Sequence, residues 1–501
     1  SNEPLFVVDG MPIRGGGSSM ADLNPADIES MSVLKGAAAS ALYGQEGSNG
    51  VILITTKSGK DGKVTVTVNG GWEFSRVMDT PNIQNTFIGG ASGFTNVNSG
   101  GGWGPRRQAD DPYYDNVGKF LGTGFMQKYD MTISGGNDLF SAYASVGYMD
   151  NKGVVPQDYK KKINVFVKGQ YKPSKQVNIM LSTNFIETKS RAFGNAMSSI
   201  YGWAINRDMS DYVLPNGLPN WACRYDDWDI LTNDQRLDAA LSPYYSRYMD
   251  KSNSQGDRVI INGSIQYEPI HNLTFTGKVN YDISNSQYES STRPRYTASQ
   301  EEFDMEKWDS SLDGTFHGRM GTYVFTPSRG SRFTAQALGN YYWEINDDFN
   351  LNFFLGAEYT ESNGLSGNFG GKHFILDGDF YSFNNLDKQY FGVGTGDYQL
   401  QLNHSSWNKY GYFGEIRFDY KKVIQVSATG RMDGSSRFKQ AKETNYFYPS
   451  FTGGVIFTEL FKIQSPVFNY GKIRGNWAKV GKDGPANQFS DNYKMWTNFP
   501  D

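Results

Sequence analysis

Cysteine is almost missing from this chain of 501 residues: Cys223 stands alone, so no intrachain disulfide forms and no thiolate cluster holds a metal. Long apolar runs are missing too. The best, Gly50 to Ile54, is broken at once by Thr55, Thr56 and Lys57. A spanning helix needs ~18–20 consecutive apolar residues, so a helical membrane protein is excluded. Neither sign of charge is in excess: Lys+Arg 48 against Asp+Glu 52 leaves −4, which offers no electrostatic footprint for a nucleic-acid backbone. Leucine-rich helical composition is also absent.

What is present is aromatic. Tyr 32, Phe 33 and Trp 10 make up 15% of the chain, while the whole hydrophobic class is only 38% and the mean hydropathy is −0.56. Rings with abundant glycine, Gly 57 against Pro 18, suit strands and tight turns. An all-β fold is favoured.

The first sixty residues read as a small α/β unit. A Gly15-Gly16-Gly17 loop precedes Asn24-Pro25, with Asp27 at an expected helix start. Met31 to Leu34 reads as a short strand, Ala37 to Tyr43 as a helix bounded by Gly36 and Gly44, and Val51 to Thr56 as a buried β run before a turn over residues 58–62. From Val64 the pattern changes to strict period-two alternation. Ile163, Val165, Val167, Gly169 and Tyr171 alternate with Asn164, Phe166, Lys168 and Gln170. The same rhythm runs from Leu273 to Tyr281, Leu351 to Tyr359 and Ile424 to Met432. Each run is about nine residues, the length of a tilted strand across a bilayer and longer than the usual soluble strand. Tyr148, Tyr171, Phe185, Tyr267, Tyr281, Tyr359 and Tyr420 stand near the ends of the apolar rows, where an interfacial aromatic girdle is expected.

Loop lengths give an independent signal. About thirteen strands are expected after the first unit. Short turns at Gly135-Gly136-Asn137, Pro173-Ser174-Lys175, Glu268-Pro269-Ile270, Asn346-Asp347-Asp348 and Lys421-Lys422 alternate with long connections at residues 77–124, 151–161, 188–257, 284–331, 361–407 and 433–445. Short turns on one rim and long loops on the other describe an outer-membrane barrel. An odd count does not close a single-chain bacterial barrel, and residues 499–501 follow a polar stretch. Part of the wall is therefore expected beyond Asp501, and since the sequence opens on Ser1 without a signal peptide, either an export signal has been removed or residues ahead of Ser1 are missing from it.

Catalytic and metal chemistry find no foothold. His271, His317, His373 and His404 stand in no metal-ligand spacing. No G-x-S-x-G elbow occurs. The carboxylates at 226, 227 and 229 and at 377, 379 and 387 lack the calcium-loop register, and Gly15-Gly16-Gly17 lacks the Gly-Lys-Ser/Thr of a phosphate loop. No enzyme activity, cofactor or metal is expected.

Asp27 to Gly36, then Ala37 to Gly44, then Asn49-Gly50-Val51-Ile52 and Thr55-Thr56-Lys57 closely resemble the plug domain of TonB-dependent outer-membrane transporters. Val7-Val8-Asp9-Gly10, Asn24-Pro25 and Ser48-Asn49-Gly50-Val51, with Gly430 to Phe438 and Tyr448-Pro449-Ser450 far downstream, are similar to the SusC/RagA branch. The resemblance implies a transmembrane antiparallel β-barrel of 22 strands in the full protein, about 13 of them here, around a small α/β plug. The implied division is residues 1–62 for the later plug and 63–501 for the first part of the barrel. The plug motif would comprise Asp9, Gly10, Asn24, Pro25, Asp27, Glu29, Lys35, Gly36, Tyr43, Gly44, Asn49, Gly50 and Lys57, its glycines serving turns and close packing rather than ligand contact.

The function so implied is TonB-dependent import of oligosaccharides or oligopeptides across the outer membrane of a Gram-negative, Bacteroidota-like cell, in a multi-pass barrel surrounded by outer-membrane lipid. A SusD-like surface lipoprotein would act as lid. The TonB-ExbB-ExbD complex would act through a segment ahead of Ser1. The alternatives are a siderophore or cobalamin receptor, against which the Asn24-Pro25 and Asn49-Gly50-Val51 details speak, and an all-β surface glycan-binding protein. Trp103, Arg106, Tyr113 and Tyr114 in one long loop, and Trp203, Trp221, Arg224 and Trp228 in the longest, are the candidate ligand-facing residues, because flat rings beside Arg and Asp suit sugar rings and peptides. Packing of the loops on each other competes equally with that reading.

Overall fold

The computed structural model describes residues 3–13, 22–34, 43–60, 62–94, 102–191, 197–215, 220, 242–293, 295–296, 318–319, 321–372, 382, 384, 386, 398–438, 445–463, 467–468 and 470–479. Two sheets organise them.

The smaller sheet has four strands: β1 (Leu5–Val8), β2 (Met11–Pro12), β3 (Ile28–Leu34) and β4 (Val51–Thr56), in the order β2-β1-β4-β3. β1 runs parallel to β4, with Leu5 opposite Val51 and Val8 opposite Ile54. β2 and β3 flank them antiparallel. Alternation splits the apolar residues between two faces: Phe6, Val8, Ile13, Leu23 and Ile54 pack on one, Val7 and Val51 on the other. Asp9 and Gly10 both adopt positive φ, +51° and +83°, which lets β1 reverse into β2 in two residues. Asn24 to Asp27 make not a helix start but a single 3₁₀ turn, Pro25–Asp27, capped by the Asn24 side chain on the Ala26 amide. β3 begins directly after it, three residues ahead of the expected Met31. The expected helix over Ala37 to Tyr43 falls, but for Tyr43, outside the described residues.

The second sheet is an antiparallel meander of thirteen strands, matching the expected number. They are β5 (Gly62–Ser75), β6 (Gly124–Gly136), β7 (Phe140–Lys152), β8 (Tyr159–Ser174), β9 (Val177–Arg191), β10 (Lys251–Ile270), β11 (Leu273–Thr292), β14 (Thr322–Glu344), β15 (Phe349–Lys372), β16 (Tyr398–Tyr420), β17 (Ile424–Ser435), β18 (Asn445–Ile456) and β19 (Lys472–Ala478). The ribbon β12 (Arg295–Tyr296) and β13 (Gly318–Arg319) decorates the β11–β14 connection. β5 and β19 are the two edges. The short turns lie where expected, and asparagine side chains shape two of them: Asn137 accepts from the Leu139 and Phe140 amides, Asn346 from those of Asp348 and Phe349.

Burial is inverted relative to a soluble sheet. On β15, Leu355 is 70% exposed and Glu358 6%. Val279, Tyr281, Val426 and Met432 face out, while Asn280, Asp282, Arg431 and Asp433 on the same strands are buried. An apolar exterior with a polar interior is the pattern of a wall in lipid. Of the expected girdle, Tyr171, Phe185, Tyr267, Tyr281 and Tyr359 are exposed; Tyr148 and Tyr420 are half-buried. Register sorts the rings into two levels. Phe140 lies opposite Tyr171 and Phe275 opposite Tyr267 towards the turns, while Tyr281 lies opposite Phe333 and Tyr359 opposite Tyr410 towards the loops.

The expected strand length needs correcting. β10, β11, β14, β15 and β16 run 20 to 24 residues, more than twice the nine-residue apolar runs. The connections shrink accordingly, to 293–321 and 373–397, and 151–161 reduces to 153–158. Ladder hydrogen bonds continue past the apolar rows, where Ser, Asn, Gln and Thr predominate on both faces. Hydrophobic alternation is blind to such extensions.

Candidate functional site

The site lies where the small sheet meets the polar face of the wall. The β1–β2 turn supplies Asp9, whose Oδ1 accepts the Thr56 amide at 2.9 Å and whose Oδ2 accepts the Thr56 hydroxyl at 2.6 Å and Lys168 Nζ at 3.2 Å. Lys168, on β8, also donates to the Thr56 carbonyl and hydroxyl. A side chain at residue 10 would run into Nζ of Lys278 on β11. Asn24 Nδ2 donates to Asp130 on β6 at 2.6 Å, and Asp130 pairs with Lys128 at 3.3 Å. Asp27 accepts the Tyr143 hydroxyl of β7 at 2.9 Å. Burial pushes the Asp27 carboxyl above its ordinary value, and the Ser145 and Tyr143 hydroxyls only partly offset this.

Farther round, Arg258 of β10 joins Asp22 at 3.0 Å to Asp282 of β11 at 2.6 Å. The densest contact surrounds the 3₁₀ turn Gly44–Asn49. There Glu46 meets Arg332 at 3.3 Å and Lys409 at 3.7 Å. Burial works against the Glu46 carboxylate, but Arg332, Lys409, Arg437 and Arg431 outweigh it and hold the group at about 2, so it stays ionised at any pH a cell meets. Arg431 lies behind it with no exposed surface, at 2.7 Å from Asp433 and 3.3 Å from Glu358. Gly44, at φ +66°, sits against this pair, where a Cβ would come within 2.8 Å of Arg431 Nε.

The motif residues named from sequence are thus mainly seating residues. Asp9, Gly10, Asn24, Asp27 and Gly44 touch the wall or nearly so. Asn49 donates to the Glu3 carbonyl, Gly50 turns the chain at φ +94°, and the Lys57 amide bonds to the Asp27 carbonyl. Glu29, Pro25 and the Lys57 side chain are exposed; Tyr43 is half-buried, packed beside Val7 and Val51. Lys35 and Gly36 lie outside the described residues. Asp22 and Glu46 are seating residues that the motif reading omits. Their signal was indirect: ionisable residues such as Lys168, Arg258, Arg332 and Arg431 recur at inward positions of the strands and demand partners.

The described parts of the long connections 76–123 and 192–250 pack on each other. Helices α1 (Asn116–Phe120), α2 (Met197–Tyr201) and α3 (Pro243–Met249) surround a core of Val117, Phe120, Ile200, Trp203 and Met209. Asn116 stitches the two connections by donating to the Arg207 carbonyl and accepting the Met209 amide. Trp203, at 3% exposure, belongs to that core and is corrected from a ligand-facing to a packing residue, because its ring fills the space between α1 and α2. Trp103, at 61% exposure, Arg106 and Tyr113 are exposed; Tyr114 is half-buried under Lys119. Trp221, Arg224 and Trp228 lie outside the described residues. Sequence reasoning missed a ring stack: Tyr212 lies 5.8 Å from both Tyr244 and Tyr248, near-parallel to each. The four-residue spacing of Tyr244 and Tyr248 on α3 was its available signal.

Residues 1–51 match the family described as TonB-dependent Receptor Plug Domain. Along nearly all of its length the chain is similar to TonB-dependent receptor SusC of Bacteroides thetaiotaomicron, at 24% identity over 98% of this chain and 47% of that protein. It is likewise similar to TonB-dependent receptor P26 of Formosa agariphila, at 23% identity over 99% of this chain and 46% of that one. The chain spans about half the length of these relatives. Among solved structures it resembles the RagAB peptide importer in its open-open state, with TM-score 0.70 and 20% identity over 96% of this chain and 53% of that one. The ferric citrate transporter FecA follows at TM-score 0.52 and 9% identity over 91% of this chain and 52% of that chain. The chain carries the plug and the wall fold of the SusC/RagA-type TonB-dependent transporters.

Proposed function

We propose that the protein carrying this chain imports oligosaccharides or oligopeptides across the bacterial outer membrane, powered through TonB and capped by a SusD-like lipoprotein. The observation that carries the reading is the seating of the small sheet by ion pairs, Asp9–Lys168, Asp22–Arg258 and Glu46–Arg332, beside one apolar patch where Val8, Leu23 and Ile28 come up to Phe166 and Ile260. A polar seat blocks the lumen and still releases when pulled, because displaced charges are rehydrated. Residues 1–62 are the plug and 63–501 the wall in this reading. Trp103, Arg106 and Tyr113 are the substrate-facing members of the packed loops, and α1 to α3 give them a rigid base.

Uptake tests the proposal. Cells grown on the cognate glycan or peptide should lose import when TonB is deleted, and import undiminished by that deletion overturns the reading. The iron-chelate alternative is separated by the same assay, since it would follow iron limitation rather than the carbon or nitrogen source.

A further inference from the structure

We infer that the outer face of the wall, just beyond the loop-side aromatic level, carries a binding site for the phosphorylated saccharide headgroup of an outer-leaflet glycolipid; this rests on the outer-membrane reading above. A cavity of about 280 Å³ opens there, slightly below the lower end of ligand pockets and suited to about one sugar ring. Beside Ser286 and Ser328, its lining includes the longer polar side chains of Gln255, Asp257, Asn285, Gln287 and Arg329. All five have odd numbers on β10, β11 and β14, as do Ile261, Tyr281 and Phe333 on the exposed face of the same strands, and unbroken register carries that alternation upward.

Height identifies the occupant. Tyr281 lies opposite Ile261 and Phe333, and the polar residues stand four to six residues above that row. Leu365 stands six above Tyr359, and Leu402 eight above Tyr410. At a rise of ~3.3 Å per residue and the strand tilt of such barrels, this is about 10–20 Å above the ring level. Counted from the turn-side rings at Tyr267 and Phe275, the same polar residues stand ten to twelve positions up, about 23–32 Å, at the upper edge of an apolar band ~25 Å tall and so in the layer of headgroups. Leu386 packs on Tyr323 and Phe325 farther along the strands, so the site lies between this cluster and the ring level.

The lining is of two kinds. Pro327, Leu365 and Leu402 are apolar and accept the C–H face of a ring, while the amides reach hydroxyls. Arg329 is exposed, and neither it nor Gln255, Asn285 or Gln287 makes a side-chain hydrogen bond or ion pair to another described residue. A guanidinium so placed takes a phosphate with paired donors, and Asp257 accepts from a sugar hydroxyl. A phospholipid would supply the phosphate but leave the amides and the apolar floor unused.

The test uses the protein purified from its own outer membranes in mild detergent, with bound lipid read by native mass spectrometry. Wild-type protein should retain a phosphorylated glycolipid through washing, and Arg329→Glu should lower retention at least tenfold. An Asn285→Ala/Gln287→Ala variant should lower it several-fold. After delipidation, added hexa-acyl glucosamine disaccharide phosphate should rebind, whereas phosphatidylglycerol and glucosamine phosphate without acyl chains should not. Equal retention by wild type and Arg329→Glu overturns the site. So does equal rebinding of phosphatidylglycerol or of the free sugar phosphate, or a dimer of this chain that Arg329→Glu dissolves. Membrane fractionation and TonB dependence of uptake in wild-type cells read the import proposal separately. Failure there with lipid retention intact, or the reverse, tells which of the two has fallen.

Discussion

Arg431→Met is expected to destabilise the protein by about 3–5 kcal/mol, the cost of breaking a buried ion pair from one side. The guanidinium has no exposed surface and answers two carboxylates, Asp433 at 2.7 Å and Glu358 at 3.3 Å, while stacking over the Phe413 ring at 4.8 Å. Methionine fills much of the volume but leaves both carboxylates short of a counter-charge. Lys409, 3.8 Å from Glu358, is already engaged with Glu46, and the remaining help for Glu358 is Gln336, which donates to its other oxygen at 2.7 Å. Arg431→Lys should recover part of the loss, since a compact ammonium keeps the charge but not the fork that reaches both acids. Urea unfolding in detergent measures this. A change below about 1 kcal/mol would place Arg431 with ordinary surface ion pairs and remove it from the account.

Asp9→Ala should loosen the plug more than any other single change within it. The carboxylate satisfies the Thr56 amide, the Thr56 hydroxyl and Lys168, and both charged partners are about 5% exposed. Removing it leaves the buried Lys168 ammonium without its counter-charge and the Thr56 amide without its acceptor, with Lys278 adding a second cation nearby. A loss of about 3 kcal/mol in local opening converts to roughly a hundredfold faster amide exchange across β1 and β4. Asp9→Asn, which keeps an acceptor for the Thr56 amide, should show a smaller rise. Exchange that stays at the wild-type rate in Asp9→Ala would mean that the plug is held elsewhere.

Much of this arrangement was legible in the residue order, for reasons that also mark where legibility stops. Rows such as Ile163 to Tyr171 divide the side chains between two faces, and the structure exposes Ile163 and Val167 while it buries Asn164, Phe166 and Lys168. The number of wall strands and the short turns followed from the same rhythm. Strand ends did not: beyond Tyr281 or Tyr359 both faces are mostly polar, with only scattered apolar residues such as Ile283 and Leu365, so nothing in the alternation reports that β11 and β15 continue to Thr292 and Lys372. In the plug, Asp9, Gly10 and Asn24 stood out through the motif, but what they bind on the wall depends on contacts more than a hundred residues away, such as Asn24 with Asp130. Glu46 was overlooked because a lone acid in a glycine-bounded turn carries no pattern of its own. Trp203 shows the opposite limit, since an aromatic in a long loop serves packing or binding alike until its neighbours are known.

The claim beneath all of these is that the thirteen-stranded sheet is a wall with lipid outside and polar lumen inside. With Cys223 replaced by serine, nitroxide labels placed one at a time at Val279, Leu355 and Asp347 in membrane-embedded protein test it directly. Labels at Val279 and Leu355 should be broadened by dissolved oxygen and shielded from a water-soluble nickel chelate, while the label at Asp347, in a turn, should show the reverse. Nickel accessibility at Leu355 equal to that at Asp347 would contradict the account.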